Sequence, residues 1–225
     1  MTLRLPDIST RELAAIRARV RRWFGKNGRS FPWRETRDPY RVLMAEMLLR
    51  RTTATAVSRV YLGFIEQFPS ISVLAGAPVS SISAAVESLG LQEVRAKQLK
   101  AAAVQISMQH SGSIPHDAGE LESLPGVGEY VSSAVLNFAF GQPVPLIDGN
   151  VLHFISRLFG VKFSDRSSAE VRELVSRLGG RRHEPELYWG IIDLVSSICL
   201  RKKPRCSRCP VESFCRSRGS DSRAV

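Results

Sequence analysis

This sequence predicts an all-α protein, on three observations. Apolar residues recur at helical spacing over most of the chain, alternating strand patterns are scarce, and turn signals separate short runs of helical length. About ten helices joined by short connections account for nearly every residue.

The elements follow in order. Ser9 and Glu12 form a capping box ahead of Leu13, Ile16, Val20, Trp23 and Phe24, an apolar stripe on one helical face. The segment 25–29, Gly-Lys-Asn-Gly-Arg, breaks that helix. Asp38-Pro39 begins another, with Pro39 at a permitted first-turn position, and it runs through about Arg51. Further helical runs span roughly 54–67, 79–88, 92–109, 117–123, 129–140, 150–159, 167–178 and 185–198. Turns at Gly90, Ser111-Gly112, Pro125-Gly126 and Gly179-Gly180 separate several of them. There is no internal repeat and no low-complexity tract.

A chain of 225 residues forms one large domain or two small ones, and 44% hydrophobic with 24% charged residues is ordinary globular composition. The formal net charge is +11. It is unevenly spread: residues 1–60 carry +9, residues 61–160 carry −4 and residues 161–225 carry +6. Two basic ends around an acidic middle point to a defined basic face, and such a face suits a polyanion through counterion release. The N-terminus lacks a signal-peptide core. The uncharged stretches 67–86 and 130–147 contain Pro69, Gly76 and Pro78, and Gly141, Pro143 and Pro145, so neither suits a membrane span. The expectation is a soluble, intracellular protein.

All four cysteines lie in the last 27 residues, as Cys199-x6-Cys206-x2-Cys209-x5-Cys215. Two disulfides suit an oxidising compartment, which the rest of the chain does not suggest. A structural zinc usually pairs two short knuckles, and here only Cys206 and Cys209 make one. Four thiolates wrapped unevenly around one loop suit a bulkier [4Fe–4S] cluster, and the spacing favours the cluster while leaving zinc open. Arg201, Lys202, Lys203, Arg205 and Arg208 fill the loop and would present positive charge to DNA.

Leu124-Pro125-Gly126-Val127-Gly128 sits between two short helical runs. Its glycines permit a tight turn and close approach to a ligand, and the helix starting near Glu129 would aim amides at a phosphate. Twenty residues beyond Gly128, Leu146-Ile147-Asp148-Gly149-Asn150-Val151 places a carboxylate after an apolar approach and before a helix. On its own, Asp148 reads as an N-cap.

Taken together, these segments resemble the helix-hairpin-helix DNA glycosylases of the endonuclease III superfamily. Phe31-Pro32-Trp33-Arg34, Asp38-Pro39-Tyr40, the run Glu46 to Thr53, and Gly90-Leu91 with Arg95-Ala96 extend the resemblance along nearly the whole chain in the right order. It implies a six-helix barrel domain holding the hairpin, over 29–141, and a cluster domain formed by both termini, 1–28 and 142–225. Such enzymes extrude a nucleotide from duplex DNA into a pocket and cleave an N-glycosidic bond. The resemblance gives Asp148 the role of stabilising the oxocarbenium-like transition state and activating water, with the helix N-terminus helping to keep it ionised.

Bifunctional members use a lysine just after the hairpin as a Schiff-base nucleophile, and the matching residue here is Tyr130. No lysine occurs between Lys100 and Lys162, so the resemblance implies a monofunctional enzyme that leaves an intact abasic site. Tyr130 and Leu48-Leu49-Arg50-Arg51-Thr52-Thr53 look like the thymine-DNA mismatch glycosylases, which act on G·T and G·U pairs. In that reading Glu46 hydrogen-bonds the flipped pyrimidine, Tyr130 lines the pocket beside the sugar, and Arg50 or Arg51 fills the vacated stack or reads the opposite guanine. Glu46 lies in the mostly apolar run 42–49, a setting that suggests a raised pKa and a function. The implied DNA contacts are Arg50, Arg51, Leu124, Gly126, Val127, Gly128, Lys202 and Lys203. The partner is double-stranded DNA with mismatched or deaminated bases, met by a monomer in the cytoplasm at the nucleoid.

A glycosylase specialised for another modified pyrimidine remains open, and two further alternatives stand beside it. The adenine-specific mismatch glycosylases share the Asp148-Gly149-Asn150-Val151 segment and a glutamate matching Glu46. They carry serine where Tyr130 stands, glutamines in place of Arg50-Arg51, and a further C-terminal domain for which the ten residues after Cys215 leave no room. A non-catalytic, cluster-bearing DNA-binding module is the other, and the presence of both Glu46 and Asp148 weighs against it.

Overall fold

The computed structural model describes residues 8–163, 165, 168–179 and 183–219. Gly180 of the turn expected at Gly179-Gly180, and the start of the helix expected over 167–178, lie outside the described residues. The chain divides into two compact units, residues 30–142 and residues 1–29 with 143–225. Among the described residues every regular element is helical: eleven α-helices and four short 3-10 turns. None of these helices is long and apolar enough to cross a membrane.

In the terminal unit, α1 (Thr10–Asn27) starts where Ser9 Oγ accepts the Glu12 amide at 3.1 Å. It does not stop at Gly25: one glycine costs a helix about 1 kcal/mol, which burial of Leu13, Ile16 and Val20 on the inner face offsets. α1 packs on α11 (Pro185–Ser197). The helices meet closely at Gly190, where an added Cβ would lie 2.8 Å from Val20 Cγ1 and 3.2 Å from Phe24 Cβ. Asp193 of α11 is 2% exposed and takes the Arg29 amide at 2.8 Å and its guanidinium at 2.9 and 2.6 Å. α9 (Gly149–Phe159) lies against α11, and α10 (Ala169–Gly179) lies against α1.

The internal unit is built on α2 (Pro39–Leu49), capped by Asp38, whose Oδ1 accepts the Arg41 amide at 2.8 Å. Residues Val42 to Leu48 are all buried, so α2 is enclosed around its whole circumference at the unit's centre, with Glu46 the one ionisable side chain in that run. α3 (Ala54–Gln67) and α8 (Glu129–Phe138) pack on it. α6 (Gln92–Gln109) backs α4 (Ile71–Gly76) and α5 (Val79–Ala85). α7 (Ala118–Glu122) precedes α8 and contacts it. Phe31 stacks on Trp33 at 4.8 Å, and Trp33 meets Tyr61 edge-on at 5.3 Å, which closes one end of this core.

Beyond the continuation of α1 through Gly25, the structure departs from the sequence expectation in three further places. α2 ends at Leu49, so Arg50 is an extended C-cap residue and Arg51, at φ +54°, is left-handed; neither lies on a helix. The cause is buried Arg95, whose guanidinium donates to the Met47, Leu48 and Arg50 carbonyls at the end of the helix. α4 is a six-residue helix that the sequence reading passes over. The run expected over 79–88 ends at Ala85 and continues as a 3-10 turn, Glu87–Leu89.

Candidate active site

In the terminal unit, Asp148 caps α9. Its Oδ1 accepts the backbone amides of Asn150 at 3.0 Å and Val151 at 2.6 Å, and its Oδ2 accepts the Asn150 carboxamide at 3.0 Å. Both oxygens are therefore fixed in direction by three donors, and the carboxylate sits at the positive end of a helix dipole. Burial nevertheless dominates its proton affinity. The carboxyl is raised above the ordinary aspartate value, with the Val151 and Asn150 amides, the Asn150 carboxamide and the charge of Arg201 pulling it partly back. The helix N-terminus thus moderates the carboxyl without holding it low.

Arg201 belongs to the loop between Cys199 and Cys206 and donates from a terminal guanidinium nitrogen to the Gly149 carbonyl at 3.0 Å. The same loop closes on itself where the Arg205 amide meets the Ile198 carbonyl at 2.9 Å. Lys202 and Lys203 stand exposed on it, Lys203 with a left-handed backbone.

Cys199, Cys206, Cys209 and Cys215 are free thiols that line one small apolar cavity. Burial pushes the thiols of Cys199 and Cys209 up to about 11, and the neighbouring cysteines add to the shift. Buried His153 of α9 sits behind the first of them, its Nε2 2.9 Å from the Cys199 carbonyl. Among the described residues no three His, Cys, Asp or Glu side chains converge closely enough to ligate a single metal ion. The donor set fits a bulkier group: four thiols stand around an apolar space, and burial with the neighbouring cysteines raises the proton affinity of Cys199, Cys209 and Cys215, a cost that a cationic core would offset.

In the internal unit, Glu46 is 4% exposed on α2, among the buried residues Val42 to Leu48. Tyr130 is the half-buried second residue of α8, the helix that packs on α2. In the hairpin, Leu124 and Val127 turn their side chains into the core, so what this segment offers outward is backbone. Gly126 has φ +84°, a conformation that favours glycine. A Cβ there would lie 3.0 Å from an Arg50 guanidinium nitrogen and 3.1 Å from Gln98 Cβ. Gly128 is the N-cap of α8 and brings no side chain to the helix start.

Arg50 donates to Gln98 Oε1 at 2.8 Å beside that turn. Arg50, Arg51, Leu91, Val94, Arg95 and Gln98 line an open cleft, with Leu91 and Val94 more than half exposed. Beneath it, buried Arg95 donates to the Met47 and Leu48 carbonyls at 3.0 Å each and to the Arg50 carbonyl at 3.1 Å. Gln98 and the capping work of Arg95 escape a sequence reading, because their partners lie 45 to 48 residues away. Leu91 carries a signal, since an apolar residue beside Gly90 at the start of a helical run is exposed here with φ +52°.

The internal unit thus carries a hairpin turn beside an arginine-lined cleft, and the terminal unit a half-buried carboxylate at a helix N-terminus. The model for HhH-GPD superfamily base excision DNA repair proteins matches residues 44–179, and the chain belongs to that superfamily. It is 39% identical over 202 residues to the thymine/uracil-DNA glycosylase of Pyrobaculum aerophilum, a match covering 87% of this chain and 88% of that one. It is 30% identical to the adenine DNA glycosylase of Homo sapiens, over 92% of this chain and 40% of the human protein. Among solved structures, a thermostable thymine-DNA glycosylase superposes with a TM-score of 0.86 at 31% identity, over 91% of this chain and 95% of that one.

Proposed function

We propose that the protein is a monofunctional DNA glycosylase that takes thymine or uracil out of G·T and G·U mismatches and leaves an abasic site. The observation that carries this reading is the Asp148 carboxylate, held by three hydrogen bonds at the start of α9. Hydrolysis of an N-glycosidic bond builds positive charge on the sugar, and a carboxylate fixed in direction lowers the energy of that charge without reorganising. As the C1′–N1 bond breaks and the base departs with its electron pair, Asp148 accepts a proton from the attacking water, the hydroxyl joins C1′, and that proton then neutralises the base anion. Similarity to thymine/uracil-DNA glycosylases along almost the whole chain supports a pyrimidine as the base.

The other residues take supporting roles in this reading. Glu46 hydrogen-bonds the flipped pyrimidine, and Tyr130 packs beside the sugar where a lysine would form a Schiff base. Arg50 and Arg51, released from α2, fill the vacated stack or read the opposite guanine through its O6 and N7. The backbone of Leu124 to Gly128 receives a phosphate, and Lys202 and Lys203 add sequence-independent attraction. The residue 30–142 unit is the barrel domain and the terminal unit the cluster domain, working as a monomer at the nucleoid. Cys199, Cys206, Cys209 and Cys215 would hold a [4Fe–4S] cluster, which would cross-link the loops of the terminal unit and take no part in the hydrolysis. Four thiols spread around one cavity suit it better than a single zinc ion.

The test is base release from labelled duplexes carrying G·T, G·U, A·U, G·A and 8-oxoguanine·A, each with and without hot alkali. Strand breaks at G·T and G·U only after alkali are expected. Release of adenine would place the protein with the adenine-specific enzymes instead, whose Asp-Gly-Asn-Val segment it shares. Tight binding with no release from any duplex would point to another modified base as substrate or to a non-catalytic DNA-binding module.

A further inference from the structure

Asp148 and Arg201 act on one peptide plane. The carbonyl of Gly149 and the amide of Asn150 belong to the same planar unit. The amide donates to Asp148 Oδ1 at 3.0 Å, and the carbonyl accepts from the Arg201 guanidinium at 3.0 Å. A peptide held at both ends cannot rotate about the flanking φ and ψ without losing a charge-assisted hydrogen bond. The second amide on Oδ1, from Val151, follows directly in the chain, so its aim depends on the same plane.

Nothing in the local fold of α9 requires Arg201 for this purpose. Asp148 already serves as the N-cap, and the carbonyl of Gly149 has an ordinary place in the first turn. The arginine arrives 52 residues later in the chain, from a loop whose ends are Cys199 and Cys206. An added Cβ on Gly149 would still be 3.6 Å from the Arg201 nitrogen, so the contact is not a filler for a missing side chain.

We infer that Arg201 is a positioning residue for Asp148: through the Gly149–Asn150 peptide it fixes the direction of the carboxylate, and thereby ties the rate of base release to the Cys199–Cys206 loop. This rests on Asp148 being the catalytic carboxylate. Small angular errors in a catalytic group cost large factors in rate, and on that basis Arg201→Ala slows the chemical step by roughly tenfold to a hundredfold.

The experiment measures single-turnover uracil release from a G·U duplex under saturating enzyme, together with the Kd for that duplex and the visible absorbance of the full-length protein. Four forms are compared: wild type, Arg201→Ala, Arg201→Lys and Asp148→Asn. The expected result is a slower rate for Arg201→Ala at unchanged Kd and absorbance, with partial recovery in Arg201→Lys. A weaker Kd with an unchanged saturated rate would overturn the inference and make Arg201 a phosphate contact. Loss of rate in step with loss of absorbance would also overturn it, leaving Arg201 as a support for the cysteine loop. If Asp148→Asn keeps the wild-type rate, the catalytic reading of Asp148 fails, and the role of Arg201 fails with it. If Asp148→Asn is inactive while Arg201→Ala is unaffected, the positioning role alone is refuted.

Discussion

Arg95 holds the end of the helix from which Arg50 emerges. Its guanidinium donates to the carbonyls of Met47, Leu48 and Arg50, so one buried side chain terminates α2 and sets the turn that presents Arg50 and Arg51. Burial lowers the proton affinity of Arg95 and the nearby charge of Arg50 lowers it further, and the three carbonyls offset that cost.

Replacing Arg95 by Met should therefore destabilise the protein by about 2–4 kcal/mol, since three carbonyls lose a charged donor. Arg95→Lys should recover only part of this, because one ammonium cannot reproduce the planar fork. Thermal or urea unfolding checks both. Wild-type stability in Arg95→Met would show that water satisfies those carbonyls equally well.

The pH dependence of base release follows from Asp148. Burial raises its carboxyl above the ordinary aspartate value, so the ionised form is lost on the acid side at a pH higher than an exposed aspartate would give. The rate should fall with acid along a limb displaced upward from the usual aspartate range. Stability has the opposite sign. A carboxyl whose folded pKa is raised binds more protons folded than unfolded, so stability falls as pH rises from the unfolded value through the folded one. Asp148→Asn keeps a capping side chain and removes the charge, so it should be more stable than wild type at neutral pH, with the gap narrowing in acid. Melting temperatures at several pH values test this, and a gap that widens in acid would refute it.

Some of this was legible in the chain and some was not, for physical reasons. Asp148 stands between an apolar segment and a helical run, so its cap is local and readable. Its protonation is not, because the burial that outweighs the helix end comes from the folded surroundings. The α2 start was fixed by Asp38-Pro39, a local signal; its end depends on Arg95, which no window around Leu49 contains. The α4 helix, six residues between Pro69 and Pro78, is too short to show a period. The four cysteines announced a common site by their spacing, whereas their convergence on one apolar cavity is a property of the fold.

Cys206→Ser should remove the broad visible absorbance of an iron–sulfur cluster and lower the melting temperature, because the loops it would cross-link lose their common anchor. Absorption spectra and iron and sulfide content of the purified protein report this. A colourless wild type containing zinc would replace the cluster with a zinc site.

Tyr130→Lys puts an amine at the second position of α8, which in the proposed reading is the place of the Schiff-base lysine of bifunctional glycosylases. Borohydride treatment during reaction with a G·U duplex should trap a covalent protein–DNA adduct that wild type does not give. Absence of any adduct would count against Tyr130 lying beside the sugar.

The most direct test of the central claim is Asp148→Asn on a labelled G·U duplex, with base release and duplex affinity measured on the same preparation. Loss of a preorganised charge at the reacting sugar should slow release by on the order of 10³-fold or more while affinity stays at the wild-type level. Release at the wild-type rate, or equal loss of release and affinity, would contradict a catalytic role for Asp148.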